Sequence, residues 1–370
     1  MATATDVSRL RAARLAAHAL TGGGLPSVTA AVERLGAVQA QDLAAAKWVL
    51  GARVAGSREA DVDAAIGSGA IVRTWPLRGT LHVMPATLVR PVLAITAPRE
   101  LGRLTTRHRD LELDDEVVAA ARRVAVLELE QGARTRDELL AAWEAAGIAT
   151  GGQRGYRLIW RLALEALVCG GPVDGRTQSF VLLDEWVPGP AADRGDDARD
   201  DTLSRLLVAY ATGHGPVTVD DFAWWAGLTL GDARRARAAA GDALVAFDDD
   251  RLVAADAADA PDAPAPPRPA GRLVLAAFDE YFLGYRDRSP VCDPAHADRV
   301  IPGGNGVFQP ILVDRGRVAG TWRRVDARGT TSVALEGFAG PVDPAGYRRA
   351  LDAWAAFRAV PIRSIESKTA

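Results

Sequence analysis

Cysteine, lysine, histidine and methionine are all scarce in this chain, and each scarcity narrows the chemistry. Only two cysteines, Cys169 and Cys292, and five histidines occur among 370 residues. With no CxxC, HExxH or Cys/His cluster, a zinc site is not expected, and a disulfide framework is excluded by number. Neither GxGxxG after a strand nor GxxxxGK[ST] occurs, which argues against dinucleotide or P-loop chemistry. No cofactor and no metal are therefore expected. No uninterrupted run of about 18 apolar residues is present, so no membrane span is expected. Arg14 and His18 break the apolar segment near the N-terminus, which reads as an amphipathic helix rather than a signal peptide. A cytoplasmic protein is the expectation, with a monomer as its state. Hydrophobic content of 48% with 25% charged residues belongs to a globular chain, long enough for several domains.

A net charge of −3 looks wrong for a nucleic-acid binder, but the average conceals segregation. Arg73, Arg78, Arg90, Arg99, Arg103, Arg107 and Arg109 share a stretch whose single counter-charge is Glu100. A second basic stretch holds Arg154, Arg157 and Arg161; a third holds Arg315, Arg317, Arg323, Arg324 and Arg328. Acidic residues collect at 193–201 and 248–262. Lys47 and Lys368 are the only lysines, so the basic charge is almost all arginine, the better fork for phosphate. Solvated helix faces remain the plain alternative for each cluster.

The most informative stretch is Leu35-Gly36-Ala37-Val38-Gln39-Ala40-Gln41-Asp42. Two neutral amides two residues apart at a helix start could hold a water molecule without the desolvation penalty of a buried carboxylate. Such a pair suits a hydrolysis whose leaving group is already activated. Asp42 is the competing acid–base candidate, although an Asp at a helix start is also well placed as an N-cap. Capping or phosphate binding by the amides is the alternative for the pair.

One order of elements recurs three times: helices, then two strands around a turn. In the first region helices are predicted over 7–20, 28–35 and 42–52, with strands over 71–75 and 79–84, where Pro76 must sit at a turn or edge. The second runs from a helix over 116–130 into a Thr135/Glu138 capping box, then a helix over 154–167 and a hairpin from Val168 to Leu183. The third has helices over 203–212, 218–225 and 230–240, then strands over 244–247 and 251–253. Helices followed by a two-stranded wing are the winged helix-turn-helix plan, which lays a helix along a DNA groove. An α+β fold is therefore expected, with three tandem winged-helix units at 1–110, 111–190 and 201–255. A Pro/Ala/Asp-rich linker follows at 256–271. Residues 272–370 then switch to strands at 272–278, 307–313, 318–324 and 331–336, and a helix over 344–357. Asp314-Arg315-Gly316 is a hairpin turn signal, and a small β-barrel or curled sheet closed by the helix fits these lengths.

Several segments together resemble the AlkZ/YcaQ-type winged-helix DNA glycosylases. They are the Gln-x-Gln segment, Thr74-Trp75-Pro76-Leu77-Arg78-Gly79-Thr80-Leu81-His82, and Phe278-Asp279-Glu280-Tyr281-Phe282-Leu283-Gly284-Tyr285-Arg286-Asp287-Arg288. Gly304-Asn305-Gly306-Val307-Phe308-Gln309-Pro310 and Gly320-Thr321-Trp322-Arg323-Arg324 complete the set, in matching order over nearly the whole chain. The resemblance implies a C-shaped protein of three winged helices and a β-barrel. It implies hydrolysis of the N-glycosidic bond of bulky N7-alkylated purines in double-stranded DNA, with unhooking of interstrand crosslinks. The family's catalytic Gln-x-Gln falls on Gln39 and Gln41; a YcaQ-type chain is expected to carry Gln-x-Asp, so Gln41 places this one nearer the AlkZ branch. The family also sets a β-hairpin against DNA, for which the turn at 314–317 is a candidate.

The chemistry is coherent with that resemblance. N7 alkylation leaves positive charge on the purine, so the base departs without a general acid through an oxocarbenium-like transition state. What remains is to position water and stabilise charge on the sugar. The absence of an obvious lysine nucleophile implies a monofunctional glycosylase, with Lys47 on a solvated helix face. Arg73, Arg78, Arg154, Arg157, Arg315, Arg317, Arg323 and Arg324 are the candidate DNA contacts. Arg78 has a second reading as partner to a carboxylate, and Trp75 and Trp160 could stack on bases or simply pack. Asp279-Glu280-Tyr281 reads best as a structural network joining the C-terminal domain to the winged helices. Gly303–Gly306 reads as a turn rather than a phosphate nest. A transcription regulator built on winged helices is the competing function, under which the Gln-x-Gln is unexplained; a paralogue that binds DNA without chemistry is the third.

Overall fold

Capping chemistry decides where most helices begin. Thr135 and Glu138 form a reciprocal capping box ahead of the helix Arg136–Ala145, and Thr218 and Asp221 do the same ahead of Val219–Ala226. Thr229 caps Leu230–Ala240, and Asp343 accepts from the amides of Ala345 and Gly346 at the head of Pro344–Arg358. The computed structural model describes residues 4–175, 177–189, 193, 195–258 and 271–369. The fold is mixed α+β. Its residues group into two compact units, 63–203 and 1–62 with 204–370. Of the expected linker at 256–271, residues 259–270 lie outside the described residues, while Ala255–Ala258 is a helical turn.

In the 63–203 unit, strands Thr80–Pro85, Ile71–Leu77, Val168–Asp174, Thr177–Leu182 and Arg134–Thr135 lie side by side in that order, all antiparallel. The two expected hairpins thus meet edge to edge, with Arg73 opposite Gly170. The amphipathic helix Arg154–Leu164 buries Leu158, Ile159 and Leu162. A 25-residue helix, Ala86–Asp110, contains Pro91 and Pro98 and was not expected from the sequence. Each proline removes one backbone donor and disfavours helix in the residue before it, so local pattern argues against what tertiary packing enforces here.

The other unit is built around a five-stranded sheet, in the order Ile362–Thr369, Thr330–Gly337, Arg317–Ala327, Ile311–Asp314, Leu273–Leu275. Its first and last strands are free edges of one open sheet, so the strands do not close into the expected small barrel. Ile362–Thr369 runs parallel to its neighbour and was also not expected: its alternation carries only two isoleucines against Arg, Glu and Lys. The helix Pro344–Arg358 covers one face, burying Tyr347, Leu351, Trp354 and Phe357. Trp354 meets Trp322 edge-on at 5.0 Å, and Phe357 meets Trp48 at 5.4 Å. Trp48 and Trp322 donate their indole N–H groups to the carbonyls of Val274 and Leu275, 2.9 and 2.8 Å away. The helix Leu43–Gly51 is thereby fastened to the sheet edge, which fixes the segment just before it.

Candidate catalytic site

That segment carries the two glutamines. The helix Val28–Leu35 stops at Gly36, whose φ of +74° is a conformation few side chains tolerate. A Cβ at Gly36 would also press on Ala209 at 3.2 Å, so the chain turns there against the helix Asp196–His214. Ala37, Val38 and Ala40 are fully buried, and Gln39 between them is 8% exposed. Gln41 and Asp42 emerge at the surface. Asp42 is the N-cap of Leu43–Gly51 and accepts from the Ala45 amide at 3.1 Å. The pair is therefore asymmetric: one amide sits in the protein wall, the other faces solvent.

Beneath Gln39 lies a buried polar network made by residues far apart in sequence. The Gln39 backbone N–H donates to Glu280 Oε1 at 3.0 Å. Glu280 Oε2 accepts from the Trp225 indole at 3.0 Å and lies 3.4 Å from His214 Nε2. Arg53 makes a two-pronged ion pair with Asp279, 2.8 and 3.0 Å, with both side chains fully buried. Asp279 also accepts from the Tyr281 amide, and Arg53 reaches the Val49 carbonyl. The sequence reading of Asp279-Glu280-Tyr281 as structural fits: all three are buried and bonded within this unit.

Hydrogen-bond balance fixes the histidine tautomers. Arg53 can only donate, so His18 Nδ1, 3.3 Å away, accepts. His18 Nε2 therefore carries the proton and donates to the Tyr285 hydroxyl at 2.9 Å, which donates onward to the His214 carbonyl at 2.6 Å. Arg14 stacks over the Tyr285 ring at 3.7 Å and reaches the Pro216 carbonyl at 3.3 Å. Burial, then the nearby His214 and the Arg53 and Arg14 guanidinium groups, hold the His18 pKa well below its ordinary 6.5. Burial likewise pushes the Tyr285 and Tyr281 hydroxyls up.

A neutral buried histidine makes stability depend on pH. The unfolded chain takes up a proton near pH 6.5, whereas native His18 takes one only well below it. Between those values the unfolded state binds more protons, so stability is lost as pH falls through that window. The slope is about 1.4 kcal/mol per pH unit for one such group. Thermal melts between pH 7 and pH 5 should show a steeper fall for the wild type than for His18→Gln. Parallel slopes would remove His18 as the origin.

The candidate arginines divide by what they already hold. In the 63–203 unit Arg73 bonds the Gln178 side chain, and Arg154 donates to the carbonyls of Ala149, Leu111 and Glu112. Arg78 sits at the hairpin turn, 3.4 Å from His82 Nε2, while His82 Nδ1 donates to the Thr80 carbonyl. Arg157 stacks on Trp160 at 4.6 Å, and Trp75 and Trp160 are both buried. In the other unit Arg315 and Arg317 flank Gly316 at the 314–317 turn. Arg315 is 80% exposed, but a Cβ at Gly316 would lie 3.0 Å from Arg11, and its carbonyl accepts from Tyr281. The backbone of that turn is thus packed down. The next hairpin is the projecting one: residues 323–329, with Arg323, Arg324 and Arg328, are all exposed, and Val325 at its side is 63% exposed. Gly303–Gly306 is a turn, where Asp298 and Asn305 accept from the Gly303 and Val307 amides.

Sequence reasoning missed Arg14, His18, Arg53 and His214. The available signal was polar residues on otherwise apolar helix faces, which marks a buried network but not its partners. Among the described residues no three His, Cys, Asp or Glu side chains gather as for a metal ion, and no helix is long and apolar enough to cross a membrane.

A family model described as DNA glycosylase AlkZ-like matches residues 32–359. A Streptomyces sahachiroi protein named interstrand DNA cross-link repair glycosylase is 28% identical over 325 residues, 81% of this chain and 83% of that protein. The solved structure of Streptomyces sahachiroi DNA glycosylase AlkZ matches the fold with a TM-score of 0.77. It covers 96% of this chain and 98% of the solved one at 24% identity. The family match takes in both glutamines, Arg53, His214, Trp225, Asp279, Glu280 and the projecting hairpin, while Arg14 and His18 precede it. This chain belongs to the AlkZ-like DNA glycosylases, enzymes that hydrolyse N-glycosyl bonds.

Proposed function

We propose that the chain is a monofunctional DNA glycosylase that releases N7-alkylated purines, bulky or crosslinked, from duplex DNA. It would act in DNA repair or in self-resistance to a genotoxin. The observation that carries this is the wall-mounted Gln39 amide beside the exposed Gln41, two neutral groups with no acid needed between them. N7 alkylation makes the base its own leaving group, so the site has to orient water and tolerate positive charge on the sugar. A carbonyl of Gln39 orients the water, and Gln41 faces the sugar from the solvent side. Asp42 serves as helix cap. Three winged-helix units acting as a monomer in the cytoplasm complete the reading. The S. sahachiroi relative, a crosslink repair glycosylase by name, supports crosslinked purines as substrates.

Lys47 supports hydrolysis without strand cleavage. Its ammonium is buried and pairs with Glu59 at 3.2 Å, which leaves it poorly placed to form a Schiff base with the sugar. The test is incubation with duplex carrying one N7-alkylguanine. Free base and an intact abasic strand are expected; a borohydride-trapped enzyme–DNA adduct, or no release from small, bulky and crosslinked lesions alike, would overturn the reading.

Phosphate contact is assigned to the exposed arginines Arg315, Arg317, Arg323 and Arg324, with Arg73, Arg78 and Arg157 as further candidates. Each contact that releases a counterion steepens the salt dependence of binding. Arg317→Ala and Arg323→Ala should each reduce the slope of log K against log salt by about 1. Arg154→Ala should leave the slope unchanged, because its donors are spent on carbonyls. A slope unaltered by all three variants would move the DNA path elsewhere.

A further inference from the structure

The carboxylate under the catalytic segment has an arrangement that burial alone does not explain. Glu280 is fully buried and bonded from three sides. One oxygen takes the Gln39 amide; the other takes the Trp225 indole and faces His214. The His214 Nδ1 lies 3.1 Å from the Tyr210 carbonyl, which can only accept, so that nitrogen carries a proton.

The bond to Glu280 engages the backbone of Gln39 and not its side chain. We propose that Glu280, completed by His214, is a positioning residue: it fixes the Gln39 backbone so that the amide side chain keeps one geometry toward the reacting sugar. Gln39 lies in the short strand Val38–Gln39, between the helices Val28–Leu35 and Leu43–Gly51. Its backbone N–H goes to a carboxylate contributed by a distant segment. A carboxamide at position 280 has one acceptor oxygen instead of two and presents an NH2 group to a donor. It could satisfy Gln39 or Trp225, but not both in the native arrangement.

This proposal rests on the catalytic reading of Gln39, and the test separates the two. Backbone amide exchange of Gln39 would be followed by NMR beside single-turnover base release and binding of an N7-alkylguanine duplex. Glu280→Gln is expected to accelerate Gln39 exchange and to lower the release rate by about 100-fold, with the dissociation constant within about twofold of wild type. Tyr281→Phe serves as the matched loss, removing a buried hydrogen bond to the Gly316 carbonyl without touching Glu280. It should leave the release rate near that of the wild type. Equal losses in Glu280→Gln and Tyr281→Phe would reduce Glu280 to general stability and overturn the proposal. If Glu280→Gln does not fold, wild-type exchange decides: a Gln39 amide that exchanges like an open loop overturns it. Gln39→Ala at the wild-type rate would instead remove Gln39 from the chemistry, and the exchange result would stand apart from that failure.

Discussion

Gln39→Ala should lower single-turnover base release by about 100- to 1,000-fold, the loss usual when one preorganised polar group is removed from a reacting centre. The variant should still fold. The bond from residue 39 to Glu280 uses the backbone N–H, which alanine retains, and a thermal melt beside the kinetics separates lost chemistry from lost stability. Gln41→Ala should lose less, because an exposed amide is already solvated and a water can stand in for part of it. Asp42→Asn should keep the rate, since asparagine caps a helix about as well as aspartate. Abasic-site formation under enzyme excess measures all three. A Gln39→Ala rate within about twofold of wild type, or an Asp42→Asn enzyme as inactive as Gln39→Ala is expected to be, would reassign the chemistry to the carboxylate.

The second large effect is on stability. Arg53 and Asp279 are both fully buried and held by two short hydrogen bonds. Removing either alone strands a charge in the core, which costs about 3–5 kcal/mol. Asp279→Ala should be the worse of the two, because Asp279 also caps the turn that carries Glu280 through the Tyr281 amide. Arg53→Met with Asp279→Leu should recover much of the loss, since it removes both charges together. Urea denaturation at pH 7 reads each difference; single variants within about 1 kcal/mol of wild type would mean that the pair contributes little.

Much of the local structure was legible because caps and periodicity are local properties. Val28–Leu35 and Leu230–Ala240 fall where the sequence puts them, as do the Thr135/Glu138 capping box and the hairpin turn at Asp314–Arg317. Ala86–Asp110 was hidden by its two prolines, and Ile362–Thr369 by its charged alternation. The open sheet replaced the expected barrel because strand lengths do not say whether the two edges meet. At the site, the motif residues were legible and their support was not. Arg53 touches His18 35 residues away and Asp279 226 residues away, and no spacing rule reaches that far.

Three contacts tie the segment from Gln39 to Arg53 to a stretch made much later: Gln39 to Glu280, Trp48 to Val274, and Arg53 to Asp279. The first spans 241 residues, which at roughly 5–20 residues per second separates the two halves by about 10–50 s of translation. A nascent chain therefore displays its glutamines on the ribosome long before the residues that hold them exist. If Gln39 is the proposed catalytic group, activity arrives late and all at once, and any product of premature termination or proteolysis that lacks residues 274–280 is expected to be an inert fragment.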